Sequence, residues 1–207
     1  MIGYYFITDK NLSKKGIISD VKAALRAGVK CVQYRSKETD AKKAYAEALK
    51  LRKICRDATF LINDRLDLAL RVGADGVHLG QDDLPVAMAR RLLGESKIIG
   101  LTVHSIKEAK EAKREGADYI AVSPIYATKT KKDAGSPKGA ALIKKIKKTV
   151  KLPVIAIGGI RLSNVREVIR SGADGLCAIS CVVTKPDVRK EIAKFQKIFH
   201  KTRLSDI

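Results

Sequence analysis

The chain contains no tryptophan, and aromatic residues make up only 5% of its 207 residues. Few rings are available to stack on bases and no RNA-binding motif is present, which argues against nucleic-acid recognition as a primary role. No apolar run approaches the roughly eighteen residues that a membrane helix requires. The opening segment, Met1-Ile2-Gly3-Tyr4-Tyr5-Phe6-Ile7-Thr8-Asp9, lacks the charged and apolar regions of a signal peptide. The expectation is a cytoplasmic protein with no membrane partner. The four cysteines, Cys31, Cys55, Cys177 and Cys181, form no CxxC pair and lie in apolar or helical segments, so neither a disulfide framework nor a zinc site is indicated. No Pro-, Gly- or Ser-rich linker divides the chain, and 45% hydrophobic residues suffice for one substantial core. Residues 1–207 therefore read as a single domain.

Acidic residues are also in short supply: 22 Asp and Glu stand against 42 Lys and Arg, a formal charge of +20. Such a field attracts polyanions, but it equally draws in phosphorylated small molecules. The lysines cluster on presumptive helix faces, as in Lys144-Lys145-Ile146-Lys147-Lys148, where solvated surface is the simpler reading. A basic nucleic-acid-binding protein is the alternative from a different functional class; it predicts affinity that collapses steeply with salt.

What the chain does contain is a repeated small-residue phrase: Ala27-Gly28-Val29-Lys30, Gly73-Ala74-Asp75-Gly76, Gly116-Ala117-Asp118-Tyr119 and Gly172-Ala173-Asp174-Gly175. Each follows a helical pattern and precedes a short β-prone run, so the phrase marks helix-to-strand turns. Those runs are Cys31 to Tyr34, Val77 to Leu79, Ile120 to Val122 and Leu176 to Ile179. Four more lie between them, at Tyr4 to Ile7, Phe60 to Ile62, Ile98 to Leu101 and Val154 to Ile157. Ala41 to Arg56, Ile106 to Glu115 and Val188 to Phe199 carry apolar residues at helical spacing. Eight continuous apolar strands alternating with helices, in about the length of a minimal barrel, favour a closed (β/α)8 barrel. A doubly wound open sheet is less favoured, because no GxGxxG follows the first strand.

In such a barrel the chemistry belongs at the C-terminal strand ends. There the sequence places Gln33-Tyr34-Arg35-Ser36-Lys37, Asn63-Asp64-Arg65, Gly80-Gln81-Asp82-Asp83, Thr102-Val103-His104-Ser105, Gly158-Gly159 and Ser180. Gly158-Gly159 after the seventh strand and Ser180 after the eighth match a common barrel phosphate site, although paired glycines also permit a plain tight turn. Asp64 and Asp83 are hard oxygen ligands suited to Mg²⁺, or else helix caps. Arg35 and Lys37, one residue apart, point to the same side of an extended backbone and are suited to a magnesium-bound phosphate group. His78 reads as a satisfied core histidine, His104 lies nearer the rim, and His200 is read as solvated.

Taken together, Tyr5 to Asp9, Gln33 to Lys37, Ile62-Asn63-Asp64, Gly73 to Asp83, Pro124 to Lys131, Ala156 to Ile160 and Gly172 to Ser180 resemble the thiamine-phosphate synthases, a family that has the thiazole tautomerases as relatives. The resemblance implies coupling of 4-amino-2-methyl-5-(hydroxymethyl)pyrimidine diphosphate to 4-methyl-5-(2-phosphooxyethyl)thiazole, with release of diphosphate. It implies that Gln33, Arg35, Lys37, Asn63, Thr102 and Lys131 contact the pyrimidine diphosphate and that Asp64 and Asp83 ligate Mg²⁺. Thr128, Thr130, Gly159, Ile179 and Ser180 fall to the thiazole phosphate, with Arg35, Lys37 and Lys131 as the groups that stabilise departing charge. The polar tail of Ser123-Pro124-Ile125-Tyr126-Ala127-Thr128-Lys129-Thr130-Lys131-Lys132-Asp133-Ala134-Gly135 then becomes a loop that closes over both substrates. Family synthases usually carry Glu at position 36, Ser at 102, Gly at 123 and Pro at 127, where this chain has Ser36, Thr102, Ser123 and Ala127. The tautomerases' catalytic histidine is expected just after the sixth strand, where this chain has none. The expected partners are small phosphorylated molecules, and the sequence leaves a homo-oligomer open.

Overall fold

The computed structural model describes residues 3–131 and 134–205. Its strands are β1 (Gly3–Ile7), β2 (Cys31–Tyr34), β3 (Thr59–Asn63), β4 (Gly76–Leu79), β5 (Ile98–Val103), β6 (Tyr119–Val122), β7 (Val154–Ile157) and β8 (Gly175–Cys177). They form a closed parallel barrel in sequence order, completed where Gly3 of β1 pairs with Gly175 of β8. Around it run α1 (Ile17–Arg26), α2 (Ala41–Ile54), α3 (Leu66–Val72), α4 (Val86–Leu93), α5 (Ile106–Arg114), α6 (Ala140–Thr149), α7 (Val165–Arg170), α8 (Ser180–Val183) and α9 (Val188–Ser205). The fold is a (β/α)8 barrel. No helix among the described residues is long and apolar enough to cross a membrane.

The strands read as unbroken apolar runs because both of their faces are buried. One face fills the barrel with Tyr5, Ile7, Cys31, Leu61, Tyr119, Ala121, Ile155 and Cys177. The other, including Phe6, Val32 and Ile62, packs under the helices. Several boundaries differ from the sequence expectation. β3 runs on through Asn63 and β5 through Val103, so Asn63 and Thr102 sit on ladder positions rather than beyond them. β8 stops at Cys177 rather than Ile179, because the Ile179 carbonyl accepts from Val182 and Val183 N–H and turns the chain into α8. α2 and α5 end at Ile54 and Arg114, short of Arg56 and Glu115, whereas α9 continues past Phe199 to Ser205.

The repeated phrase has a structural purpose at the barrel floor. Gly73, left-handed at φ 64°, ends α3, and Asp75 follows. Asp75 Oδ2 accepts from Phe60 N–H at 2.7 Å while Arg52 pairs with its carboxylate. Asp118 repeats this with Ile99 N–H and Arg90, and Asp174 with Val154 N–H and Lys147, each at 2.7 or 2.8 Å. Each aspartate thus ties the start of the preceding strand to a helix. Asp174→Ala leaves the buried Val154 N–H without its side-chain acceptor, and a loss of about 2–3 kcal/mol in urea unfolding is expected. An unchanged midpoint would show that the clamp contributes nothing.

Candidate active site

The C-terminal strand ends open into a cavity of about 970 Å³, and every site residue anticipated from the sequence lines it. Gln33, Arg35 and Lys37 enter from β2 and the loop after it; Asn63 and Asp64 from the end of β3; Asp83 from the loop after β4; Thr102 from β5. Thr128, Thr130 and Lys131 approach from beyond β6, Gly159 from beyond β7, and Ile179 and Ser180 from beyond β8. Lys132 and Asp133 lie outside the described residues.

Arg35 is placed by β1. The Thr8 hydroxyl accepts from Arg35 N–H at 2.9 Å and donates to the Arg35 carbonyl at 3.2 Å. Buried Asp9 lies 3.4 Å from the guanidinium and accepts from the N–H groups of Asn11 and Leu12, fixing the β1–α1 turn. These two positions were legible only as part of a matching segment; nothing in their spacing assigns them a role.

Asp64 takes a left-handed backbone, φ 61°, unusual for a residue with a side chain and tolerated best by Asn and Asp. Its N–H donates to the His78 carbonyl at 2.8 Å, while the helix that follows has Arg65 at its N-cap position. Asp64 therefore does not cap α3, and the conformation aims its carboxyl at Asp83. The Asp83 carboxylate is held by Gly80 N–H at 2.6 Å. Burial, with a hydrogen bond to Asp83 and that residue's charge, pushes the Asp64 carboxyl up to about 6, and Lys131 and Arg35 pull the other way. Two carboxyls close enough to share a proton are a ready site for a cation. Among the described residues no three His, Cys, Asp or Glu side chains converge into a complete metal cage. The pair nevertheless fits Mg²⁺, which takes one or two protein carboxylates and fills its shell with water and phosphate oxygens.

Beneath this pair, Asn63, His78, Gly100 and Tyr119 stand in register across β3 to β6. A Cβ at Gly100 would lie 2.0 Å from Tyr119 Cζ, so the glycine lets the tyrosine ring lean across β5. Tyr119 reaches His78 Nδ1 at 2.8 Å, and His78 Nε2 lies 2.9 Å from the Thr102 hydroxyl. His78 is the satisfied core histidine expected. Burial holds it neutral, with its pKa lowered to about 4. His104 is half-exposed, with Nδ1 3.0 Å from Glu108, and His200 is exposed.

The far side is built from two interlocked loops. Ile125 N–H donates to the Ile157 carbonyl and Tyr126 N–H to the Gly158 carbonyl, at 2.9 and 3.0 Å. Gly159, at φ 65°, approaches so closely that a Cβ would sit 2.6 Å from the Ala127 carbonyl oxygen. The turn after β7 is therefore not just a tight turn: it is packed against the base of the Thr128–Lys131 segment. Lys138 and Gly139 return to the Pro124 and Ile125 carbonyls, which fastens both ends of the loop at one place. Arg161, unassigned from the sequence, lines the cavity beside Gly159 and adds a cation there; its flanking turn is fixed by Asn164.

A family model described as thiamine monophosphate synthase matches residues 4–182. The chain belongs to this family. It is 51% identical over 203 residues to the thiamine-phosphate synthase of Methanosarcina mazei, covering 98% of this chain and 85% of that one. The Methanosarcina barkeri synthase is 50% identical over 203 residues, with 98% and 92% covered. Among solved structures, thiamine phosphate pyrophosphorylase from Pyrococcus furiosus superposes with a TM-score of 0.89 at 39% identity, over 97% of this chain and 96% of that one. Family membership makes the protein a transferase of thiamine biosynthesis.

Proposed function

We propose that the protein joins 4-amino-2-methyl-5-(hydroxymethyl)pyrimidine diphosphate to 4-methyl-5-(2-phosphooxyethyl)thiazole, giving thiamine phosphate and diphosphate with the help of Mg²⁺. The observation that carries this reading is the Asp64–Asp83 carboxyl pair facing Lys131 and Arg35 in one cavity. A diphosphate needs both signs of charge around it: carboxylates to hold its cation and cationic side chains on its remaining oxygens.

Asp64 and Asp83 hold the Mg²⁺, which supplies charge neutralisation on phosphate oxygens when bound. Arg35, Lys37 and Lys131 bind the diphosphate and stabilise the negative charge that gathers on it as the carbon–oxygen bond breaks. Gln33, Asn63 and Thr102 hold the pyrimidine ring in place. Gly159 and Ser180, with Thr128 and Thr130, bind the thiazole phosphate, and Ile179 packs beside it. The thiazole nitrogen then attacks the electron-poor methylene carbon, and closure of the Thr128–Lys131 segment keeps water from reaching that carbon first. No side chain is required as a strong base. A tautomerase reading gains no support, since Ser123-Pro124-Ile125-Tyr126 after β6 contains no histidine.

The test is an end-point assay with both substrates and Mg²⁺ that follows thiamine phosphate and diphosphate together. Equal amounts of both, abolished by a chelator, are expected; folded protein that yields neither refutes the reading.

Acidity should oppose the metal. A carboxyl raised to about 6 favours the protonated fold, so its stabilising contribution is complete near pH 4 and is lost as pH rises through about 6. Mg²⁺ competes with that proton. Added Mg²⁺ is therefore expected to raise the melting temperature above pH 6 and to have little effect at about pH 5. A thermal shift equally large at both pH values contradicts the shared-carboxyl site.

A further inference from the structure

Gln33, Tyr5, Tyr119, His78 and Thr102 form one unbroken hydrogen-bonded chain across the inner end of the cavity, with steps of 2.8, 2.8, 2.8 and 2.9 Å. All five line the cavity, and all but Thr102 are buried. A hydroxyl has one proton to donate, and so does a neutral imidazole, so the sense of one step dictates the next. Gln33 Nε2 can only donate, and it donates to the Tyr5 oxygen. The Tyr5 proton then goes to Tyr119, because the nearby Cys31 sulfur is the weaker acceptor. Tyr119 in turn donates to His78 Nδ1, which leaves the ring hydrogen on Nε2 to be given to Thr102. The threonine hydroxyl, accepting from His78 through one of its two lone pairs, has its own proton to offer to the cavity. In the opposite sense, the Tyr5 proton would be left to the Cys31 sulfur, the weaker acceptor, while Tyr119 donated to Tyr5.

We propose that this chain is polarised from Gln33 to Thr102, with Tyr119 as the positioning residue that holds His78 as its Nε2–H tautomer, so that Thr102 acts as a donor to a ring nitrogen of the heteroaromatic substrate. The tautomer rests on the hydrogen-bond geometry and on the weakness of the sulfur acceptor; the substrate contact rests on the synthase reading above. Gly100 is part of the arrangement, since Tyr119 spans β5 only across a residue without a side chain. The site thereby favours a ring that presents an acceptor to the Thr102 proton.

The chain has three histidines, so a ¹⁵N-histidine sample of a His104→Gln/His200→Gln variant shows His78 alone. Its long-range proton–nitrogen correlations are expected to show hydrogen on Nε2. In Tyr119→Phe that preference is expected to weaken, and KM for the pyrimidine diphosphate to rise about three- to tenfold, the effect of losing one neutral hydrogen bond, with kcat changed less. Thr102→Val should raise KM similarly and Thr102→Ser should not. Hydrogen on Nδ1 in the unsubstituted site overturns the polarity. A tautomer and KM unmoved by Tyr119→Phe overturn its positioning role, and an unchanged KM in Thr102→Val overturns the donor. If Nε2–H is observed but no thiamine phosphate forms, the synthase reading fails and the polarised chain survives.

Discussion

Replacing Asp83 by Asn is expected to lower turnover roughly a thousandfold, the several kcal/mol that a metal ion supplies to developing phosphate charge. The substitution is nearly isosteric, and its amide oxygen can still accept from Gly80 N–H, which Asp83 holds at 2.6 Å. The loss would therefore reflect charge rather than a collapsed turn. Asp64 provides an internal check: the Asp83 hydrogen bond and charge both raise its pKa, so in Asp83→Asn that pKa should move down toward the ordinary carboxylate range as the charge is removed. Steady-state rates across a Mg²⁺ titration and a carboxyl NMR titration of Asp64 measure the two effects separately. Near-normal activity at saturating Mg²⁺ would take Asp83 out of the metal site.

The largest structural effect is expected at Gly100. A methyl group there would stand 2.0 Å from Tyr119 Cζ and 2.4 Å from its hydroxyl oxygen, inside a barrel where Tyr119 is fully buried. The ring cannot move aside without surrendering its contacts to Tyr5 and His78. Gly100→Ala is expected to cost about 3 kcal/mol, at the upper end for core overpacking, and to lower the melting temperature by about 10 °C. Calorimetry measures the loss. A shift of only a degree or two would mean that Tyr119 has another place to go.

Much of the fold was legible because parallel strands buried on both faces leave uninterrupted apolar runs, and the Gly-Ala-Asp phrase marks where helices end and strands begin. Position in the barrel then pointed to Arg35, Lys37, Asp64 and Asp83, since charged residues at C-terminal strand ends have little structural reason to be there. Boundaries were less legible. Thr102 read as lying beyond its strand because a hydroxyl does not look like core, yet the ladder carries β5 on to Val103. Ile179 read as strand because it is apolar, although its carbonyl begins α8. Thr8, Asp9 and Arg161 carried no signal of their own: their roles depend on which loops lie beside them.

By itself, the sequence determined the barrel, the rim at which polar residues gather, and the family, because these follow from periodicity and from residues close together along the chain. Only the tertiary structure decided that the Asp64 and Asp83 carboxyls meet, that Asp9 reaches Arg35, and that Gly100 makes room for Tyr119. Those facts depend on register and approach between strands whose members are far apart in sequence. A side chain's partner across a closed sheet is set by how the strands align, and apolar periodicity does not encode that alignment.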